Sequence, residues 1–267
     1  LLRSASQRNC MATLQGMSER AATSFLVLAF AMLWVPLGQH AFLHEHWMKL
    51  GTFMAPFLLF VAFNFARNHD LRTDPRFLSL ILLVAYIVHQ FEEHWIDVFG
   101  RTYAFYPYLN DFLSGLTGSE RKTEFMSPTS IFVINTSLVW LVGALGIWRG
   151  SNHVFAALCM TAIVVVNAVS HVGAGFISGS YNPGLVTGIL VFLPLGVAVY
   201  VWLLRANLAS TGQILASILW GLVAHVIMIA GILAMHQFAW IPEVAYFAVE
   251  IAWSCIPAIR FEALSTL

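Results

Sequence analysis

The sequence predicts an all-α protein, a polytopic transmembrane bundle of about eight transmembrane helices. Hydrophobic residues make up 59% of the 267 residues and charged residues only 10%, whereas a soluble domain carries about 25% charged residues. So few charges cannot cover a soluble surface of this size. Apolar stretches of helical length also recur along the chain, while a transmembrane β-barrel would show alternating segments of about 10 residues.

The apolar stretches define the predicted helices in order. A helix needs about 20 residues to cross a hydrocarbon core of about 30 Å. Seven stretches are clear, and a weaker last one contains Glu250 and either spans the membrane or lies against the bundle. Pairs of a capping residue and a proline mark three of the starts: Asp74-Pro75, Ser127-Pro128 and Asn182-Pro183. The predicted segments are 22–40, 51–67, 76–98, 128–148, 154–178, 184–204, 211–237 and 243–260.

The basic residues predict the orientation. If all eight segments span, nine Lys and Arg residues lie on one side of the membrane and four on the other. Cytoplasmic loops carry such an excess, so both termini are predicted to be cytoplasmic. The total of 13 basic and 13 acidic residues, without a basic run, excludes nucleic-acid binding.

Ionisable side chains interrupt one of the apolar segments. Such residues cost about 2.5–3.5 kcal/mol each at the centre of a membrane helix, so they are candidates for function. His89, Glu92 and Glu93 lie at the end of the segment 76–98, and their spacing of three and four residues puts both carboxylates on the helix face of His89. His94 is five residues from His89 and is predicted to point elsewhere.

Other polar residues occur at a similar depth. Asn167 and His171 are four residues apart and share a face of their segment, Asn135 lies in the segment before it, and Tyr181 lies in the following turn. In the eight-span topology all of these residues fall in the outer half of the membrane. A shared depth predicts one common site rather than scattered polar residues.

The residue types suggest metal binding. Imidazole and carboxylate groups are ordinary ligands of zinc, iron or manganese. We predict that His89, Glu93 and His171 bind a divalent metal, zinc or iron, and that Glu92 and Glu93 are catalytic. The predicted supporting polar residues are Asn135, Asn167 and Tyr181. Two alternatives remain open: an acid–base site without metal, and a buried hydrogen-bond network that only holds the helices together.

The connection at 99–127 is rich in aromatic residues. This composition is typical of a segment that lies on the membrane interface. The alternative is a lid over a cavity that is accessible from the lipid.

The motifs resemble those of the bacterial HXXEE-domain family of predicted integral membrane proteins. His89-Gln-Phe-Glu92-Glu93 matches the defining motif of that family, and Asn167-x-x-x-His171 matches its second motif. The stretch from Tyr181 to Gly184 resembles a Tyr-x-Pro-Gly sequence that is typical after it. The resemblance covers roughly residues 78–200 and implies a catalytic or metal-binding role without naming a reaction.

These observations divide the chain into four parts. We expect a disordered cytoplasmic N-terminus at 1–21, two transmembrane helices at 22–75, an HXXEE-like four-helix core at 76–205 and C-terminal transmembrane helices at 206–267. We expect an integral membrane protein, located by the family resemblance in a bacterial inner membrane.

The predicted function is that of a membrane-embedded enzyme. Its partners would be the lipid bilayer and a hydrophobic small molecule or a lipid, on which it acts by metal-assisted or acid–base chemistry. A proton-coupled transporter and a non-catalytic subunit of a membrane complex are the alternatives. A transporter is less favoured because inverted repeats and broken helices, which are common in transporters, are not evident in the sequence.

Overall fold

The computed structural model describes residues 40–66, 71–118, 125–150 and 153–258. The predicted N-terminal part and the predicted segment 22–40 lie outside these residues, apart from His40. The helices are α1 (Ala41–Ala66), α2 (Pro75–His94), α3 (Phe105–Thr117), α4 (Pro128–Arg149), α5 (Val154–Ser178), α6 (Leu185–Arg205), α7 (Thr211–Ile232, continued by Leu233–Gln237) and α8 (Glu243–Cys255).

Among the described residues, six helices are long and apolar enough to cross a membrane, namely α1, α2, α4, α5, α6 and α7. This finding indicates an integral membrane protein. The predicted total of eight spans is not confirmed, because the first predicted segment lies outside the described residues and the last one does not meet the length of a span. The eighth predicted segment forms α8, whose 13 residues are about 20 Å long and therefore shorter than the hydrocarbon core. α8 lies along the bundle, because Glu243 at its start bonds to Ser127 and the turn after its end packs against the last part of α4.

The helix starts follow local chemistry. The side chains of Asp74, Ser127 and Ser210 each accept a backbone N–H of the helix that follows them. These bonds satisfy donors that have no partner within the first turn of a helix. The sequence predicted two of these caps, and α2 and α4 begin at the predicted prolines. The third predicted start, Asn182-Pro183, is wrong, because α6 begins at Leu185 after Gly184 and the side chain of Asn182 bonds to His171 instead.

The first described helix differs from its prediction. The segment was predicted at 51–67, but α1 begins at Ala41 and continues through Gly51. A methyl group on Gly51 would lie 2.9 Å from the ring of Trp140. Gly51 therefore permits close packing of α1 on α4 and does not break the helix.

The central helices position the site. α2, α4 and α5 are mostly buried inside the bundle, whereas α1, α6 and α7 expose most of their surface. The exposed apolar residues of α1 include a row of phenylalanines at Phe53, Phe57 and Phe60, as expected for a face in contact with lipid. The polar residues of α2 and α5 are thus held in the interior.

The predicted interface segment contains α3. Its residues Phe105, Tyr108 and Phe112 line a cavity of about 160 Å³ inside the bundle. These aromatic residues therefore cover the interior, which favours the lid alternative over a segment that only lies on the interface.

Candidate metal centre

The carboxylate of Glu93 lies among three imidazole rings. The Nε2 atoms of His89 and His94 are 3.5 and 3.0 Å from Oε2 of Glu93. The Nε2 atom of His171 is 3.4 Å from Oε1. All four residues are buried. The structure thus brings together the three predicted ligands and adds His94, for which the prediction from helix spacing was wrong.

Two central helices create this cluster. His89 and Glu93 are one turn apart on α2 and therefore face the same way. His171 comes from α5, which packs directly against α2. His94 is the last residue of α2, where the helix ends, and its ring packs near Trp47 of α1.

The hydrogen bonds of His171 assign its proton. Asn182 donates its side-chain Nδ2 to the backbone oxygen of His171 at 2.9 Å, so its Oδ1 is the atom that faces the ring. This oxygen lies 2.6 Å from Nδ1 of His171, and an amide oxygen can only accept a hydrogen bond. Nδ1 therefore carries the hydrogen, and in the neutral ring Nε2 points a lone pair at Glu93.

His89 is held in the same way. Its Nδ1 atom lies 2.8 Å from the hydroxyl oxygen of Thr187, and Thr187 donates its own hydroxyl hydrogen to the carbonyl of Gly184 at 3.3 Å. The hydroxyl thus accepts from Nδ1–H of His89. Its Nε2 atom has no hydrogen-bond partner among the described residues, and its lone pair also points at the carboxylate.

Lone pairs from two neutral rings and one carboxylate converge on the same small volume. Such an arrangement is favourable only when a cation, either a proton or a metal ion, lies between them. Ligands bound tetrahedrally to zinc at about 2.0–2.2 Å lie about 3.3 Å apart. The distances from Nε2 of His89 to Oε2 of Glu93, 3.5 Å, and from Nε2 of His171 to Oε1, 3.4 Å, are similar, although they involve different oxygens of the carboxylate. Ligand atoms of His89, Glu93 and His171 all lie within 4.8 Å of one another, so this group could hold a metal ion.

Gly184 closes the site from the start of α6. It has a φ of +94°, and a methyl group built on it would lie 2.7 Å from Cε1 of both His89 and His171. A side chain at this position would push against both rings. The backbone of α6 thus approaches the two imidazoles as closely as a glycine allows.

Glu92 has different hydrogen-bond partners from Glu93. Its two carboxylate oxygens accept the backbone N–H groups of Val186 at 3.2 Å and Thr187 at 2.7 Å. Tyr181 donates its hydroxyl to the same carboxylate at 3.0 Å. A carboxylate at the N-terminus of a helix satisfies orphan donors and interacts favourably with the helix dipole. Burial and the charge of Glu92 raise the pKa of Tyr181 above its ordinary value.

Asn135 lies on another side of α2. It accepts a hydrogen bond from Nε2 of Gln90 at 3.1 Å, and Gln90 in turn accepts one from the indole of Trp140 at 3.0 Å. Asn135 also begins a π-helical stretch, Asn135–Leu141, within α4, and such stretches occur frequently at functional sites. The amide of Asn135 reaches the wall of the inner cavity but does not contact the imidazole rings.

The inner cavity extends from the cluster towards α7. Glu93, His171 and Asn167 line it, together with residues of α3, α4 and α7. Oδ1 of Asn167 is buried without a hydrogen-bond partner among the described residues. A second cavity of about 400 Å³ lies on the other side of the cluster, lined by His94 and by Phe105, which borders both cavities.

Several residues of the site have no distinct signal in the sequence. Thr187 is a single polar residue in an apolar segment, and Gln90 lies next to His89 within the motif. Nothing in the sequence indicates which helix either side chain faces. Asn182 was identified only as a helix-capping residue, although its side chain holds His171. Gly184 had a detectable signal, because a glycine after Asn-Pro in a turn is typical of a positive φ.

The comparisons with known proteins identify one family. Residues 80–199 match the family model described as a protein of unknown function with HXXEE motif. No curated protein and no solved structure matches the chain. The matched residues include His89, Glu93 and His171 and both residues that hold the rings, Asn182 and Thr187. The predicted resemblance is confirmed: this chain carries an HXXEE-family region at residues 80–199.

Proposed function

We propose that this protein is a membrane-embedded enzyme with a divalent metal centre formed by His89, Glu93 and His171, acting on a hydrophobic or lipid-borne substrate. One observation carries the proposal. The Nδ1 atoms of both histidines are hydrogen-bonded to fixed acceptors, so that both Nε2 lone pairs meet a carboxylate. Second partners of this kind orient the histidine ligands of metals.

The three proposed metal ligands are of the types found in catalytic metal sites. Two histidines and one glutamate are the protein ligands of several catalytic zinc sites, which leave a fourth position open. A metal held in this way supplies Lewis-acid activation. In this proposal Glu93 and the two rings hold the ion, while Asn182 and Thr187 fix the rings. Glu92 is a positioning residue, which ties the first turn of α6 to α2.

The cavities support a hydrophobic substrate. The inner cavity has mainly apolar walls, and Glu93 and His171 are among the few polar residues that line it. Ligand sites generally combine an apolar lining with a few convergent polar groups. An apolar group in this cavity would be placed beside the cluster.

Metal analysis tests the centre directly. Protein purified in detergent from cells supplied with zinc and iron should contain about one metal ion per chain, measured by inductively coupled plasma mass spectrometry. His89→Ala and His171→Ala should lose most of it, because each removes one of three ligands. His46→Ala is the matched control, since His46 bonds to Lys49 on α1 outside the cluster, and it should retain the metal.

Two results would contradict the metal centre. Equal metal content in all variants would mean that the ion binds elsewhere. If the wild-type protein neither contains metal nor binds added Zn²⁺ or Fe²⁺, the cation between the lone pairs must be a proton. This result would favour the acid–base alternative. The enzyme proposal itself predicts that lipid extracts of membranes containing wild-type protein differ by mass spectrometry from those containing Glu93→Gln. Identical extracts would contradict it.

A further inference from the structure

His225 of α7 lies outside the region that matches the family, yet it lines the same inner cavity as Glu93 and His171. Its Nδ1 atom lies 2.9 Å from the backbone oxygen of Gly221, one turn earlier on the helix. A carbonyl oxygen can only accept, so Nδ1 carries the hydrogen. The Nε2 atom of the neutral ring is therefore a hydrogen-bond acceptor.

Asn167 provides a second polar group in this cavity. Its side chain lines the cavity from α5, and its Oδ1 atom has no hydrogen-bond partner among the described residues. Buried polar groups in proteins are generally satisfied, and an amide offers both a donor and an acceptor. Asn167 and His225 are thus two polar groups of a mainly apolar cavity, and neither belongs to the three residues that could hold a metal.

We propose that the inner cavity binds an apolar group that carries a hydroxyl, and that His225 and Asn167 recognise this hydroxyl. This inference rests on the proposed function, because it names the substrate class of the same site. A hydroxyl can donate its hydrogen to the Nε2 atom of His225 or to the unpartnered Oδ1 atom of Asn167, since both are acceptors. An ether or a ketone has no hydrogen to donate and would leave the imidazole acceptor unsatisfied.

The size of the cavity limits the group that enters it. Its volume of about 160 Å³ is similar to that of an engineered apolar cavity of about 150 Å³ that holds benzene. It therefore accommodates a ring or a short chain rather than a whole lipid. In a larger substrate, the hydroxyl-bearing end would occupy this cavity.

Benzyl alcohol and anisole provide a matched pair of probes, since they are isomers and only benzyl alcohol donates a hydrogen bond. Toluene serves as the apolar reference. Dissociation constants are measured by ligand-observed NMR on the full chain in detergent, for wild type, His225→Leu, His225→Gln and Asn167→Leu. Partitioning into micelles is the same for each variant and cancels in the ratios.

The expected result is a selective loss. His225→Leu should weaken benzyl alcohol about three- to tenfold, which corresponds to one hydrogen bond, and should leave toluene and anisole unchanged or slightly tighter. Asn167→Leu should also weaken the binding of benzyl alcohol more than that of toluene or anisole. His225→Gln should recover part of the affinity, because its side-chain oxygen accepts a hydrogen bond. His46→Leu, outside the cavity, should change none of the three.

Other outcomes would overturn the inference. Equal losses for benzyl alcohol and toluene would mean that His225 only shapes the cavity. Equal losses of benzyl alcohol and anisole affinity in His225→Leu would exclude recognition of a donated hydrogen. The series is repeated after removal of metal with a chelator. If His225→Leu still weakens benzyl alcohol selectively in the chelated protein, and metal analysis finds no metal, the hydroxyl site is supported and the metal centre is rejected. If metal is bound but His225→Leu does not weaken benzyl alcohol selectively, the metal centre is supported and the hydroxyl site is rejected.

Discussion

Adjacent glutamates on α2 have different surroundings, and this difference defines the site at the scale of single residues. Glu92 accepts two backbone N–H groups and a tyrosine hydroxyl. Glu93 faces the Nε2 atoms of three histidines. A carboxylate with three donors is satisfied by the protein itself, whereas a carboxylate that faces the lone pairs of His89 and His171 needs a cation between them. The two residues should therefore respond oppositely to the same substitution.

Glu93→Gln should abolish metal retention and leave the melting temperature of the metal-free protein unchanged or raised. The added amide N–H group can donate to an imidazole lone pair, and neutral replacements of buried ionic groups are often neutral or stabilising. Thermal unfolding in detergent with chelator, followed by metal analysis, measures both effects. Glu250→Gln is the control, because Glu250 is a buried carboxylate of α8 and its variant should keep the metal. A fall of several degrees in Glu93→Gln would indicate a structural role.

Glu92→Gln should lower stability by about 1–3 kcal/mol, because an amide nitrogen would replace an oxygen that accepts a backbone N–H group and leave that donor buried without a partner. For a chain of this size the loss corresponds to roughly 2–4 °C per kcal/mol. Differential scanning fluorimetry in detergent measures it. An unchanged melting temperature would contradict the positioning role that we assign to Glu92.

Gly184→Ala tests the approach of α6 to the two rings. The added methyl group would lie 2.7 Å from both imidazoles, so we expect loss of metal together with lower stability. Gly179→Ala is the control for backbone strain, because Gly179 also has a positive φ (+62°). A methyl group added there would meet nothing within 4 Å, so it makes no steric contact. This variant should lose about 1–2 kcal/mol from the left-handed conformation alone and keep the metal. Equal metal content in both variants would exclude the steric role of Gly184.

At the scale of elements, the turn after α2 keeps the site in place. Asp97 is buried and accepts the backbone N–H groups of Phe99 and Arg101, each at 2.9 Å, and Nε of Arg101 at 2.7 Å. Burial by itself raises the pKa of Asp97, but these hydrogen bonds and the charge of Arg101 outweigh it, so the pKa lies below the ordinary value of 3.8. The guanidinium of Arg101 also lies over the ring of Tyr181, which links this turn to the one before α6.

Asp97→Asn should reduce the acid sensitivity of the protein. Because the pKa of Asp97 is lower in the folded state, its contribution to stability is present above pH 3.8 and is lost as the pH falls through the folded pKa. The variant should melt at a lower temperature than wild type at pH 7, and the difference should shrink below pH 4. Melting curves across this pH range measure it, with Asp111→Asn, which alters an exposed carboxylate of α3, as the control. Parallel curves would contradict the prediction.

At the scale of the whole molecule, the described basic residues separate between the two ends of the bundle. The turn before α2 packs against the last part of α6, and Gly150 after α4 lies against Arg76. Arg72, Arg76, Arg149 and Arg205 are therefore at one end. Arg101 lies at the other end, beside Tyr181, and Lys49 lies there too, with its ammonium over the rings of Trp95 and Tyr103. This arrangement fits the predicted orientation, in which the first end is cytoplasmic and carries the excess of positive charge.

Cysteine labelling of intact cells tests this orientation. In a Cys10→Ser background, Gly115→Cys places a thiol on α3 where an added Cβ meets open space, and it should react with a membrane-impermeant maleimide. Leu208→Cys, at an exposed position between α6 and α7, should react only after permeabilisation. The two remaining cysteines, Cys159 and Cys255, are buried. The reverse labelling pattern would move the site to the inner leaflet.

The amino-acid sequence alone was sufficient to predict the membrane class, most helix boundaries and the cluster at the centre of the site. Composition and span length are properties of single segments, and the spacing of His89 and Glu93 on one helix turn requires no tertiary information. His171 was found because a shared depth in the membrane follows from the order of the helices. The boundaries of α5 agree with the prediction at both ends, and Gly179, with its positive φ, ends the helix after Ser178.

The pairing of the polar groups, in contrast, follows only from the packing of the helices. Glu92 and Glu93 are equivalent by spacing, and the approach of α6 alone gives the first a set of backbone donors and leaves the second among the imidazoles. The same contact brings Thr187 to His89, 98 residues away in the sequence. Such pairs depend on the rotation of each helix about its axis and on the packing of its small residues, such as Gly184. An apolar sequence specifies that a helix is buried, but the detailed packing of its neighbours specifies which polar atoms meet.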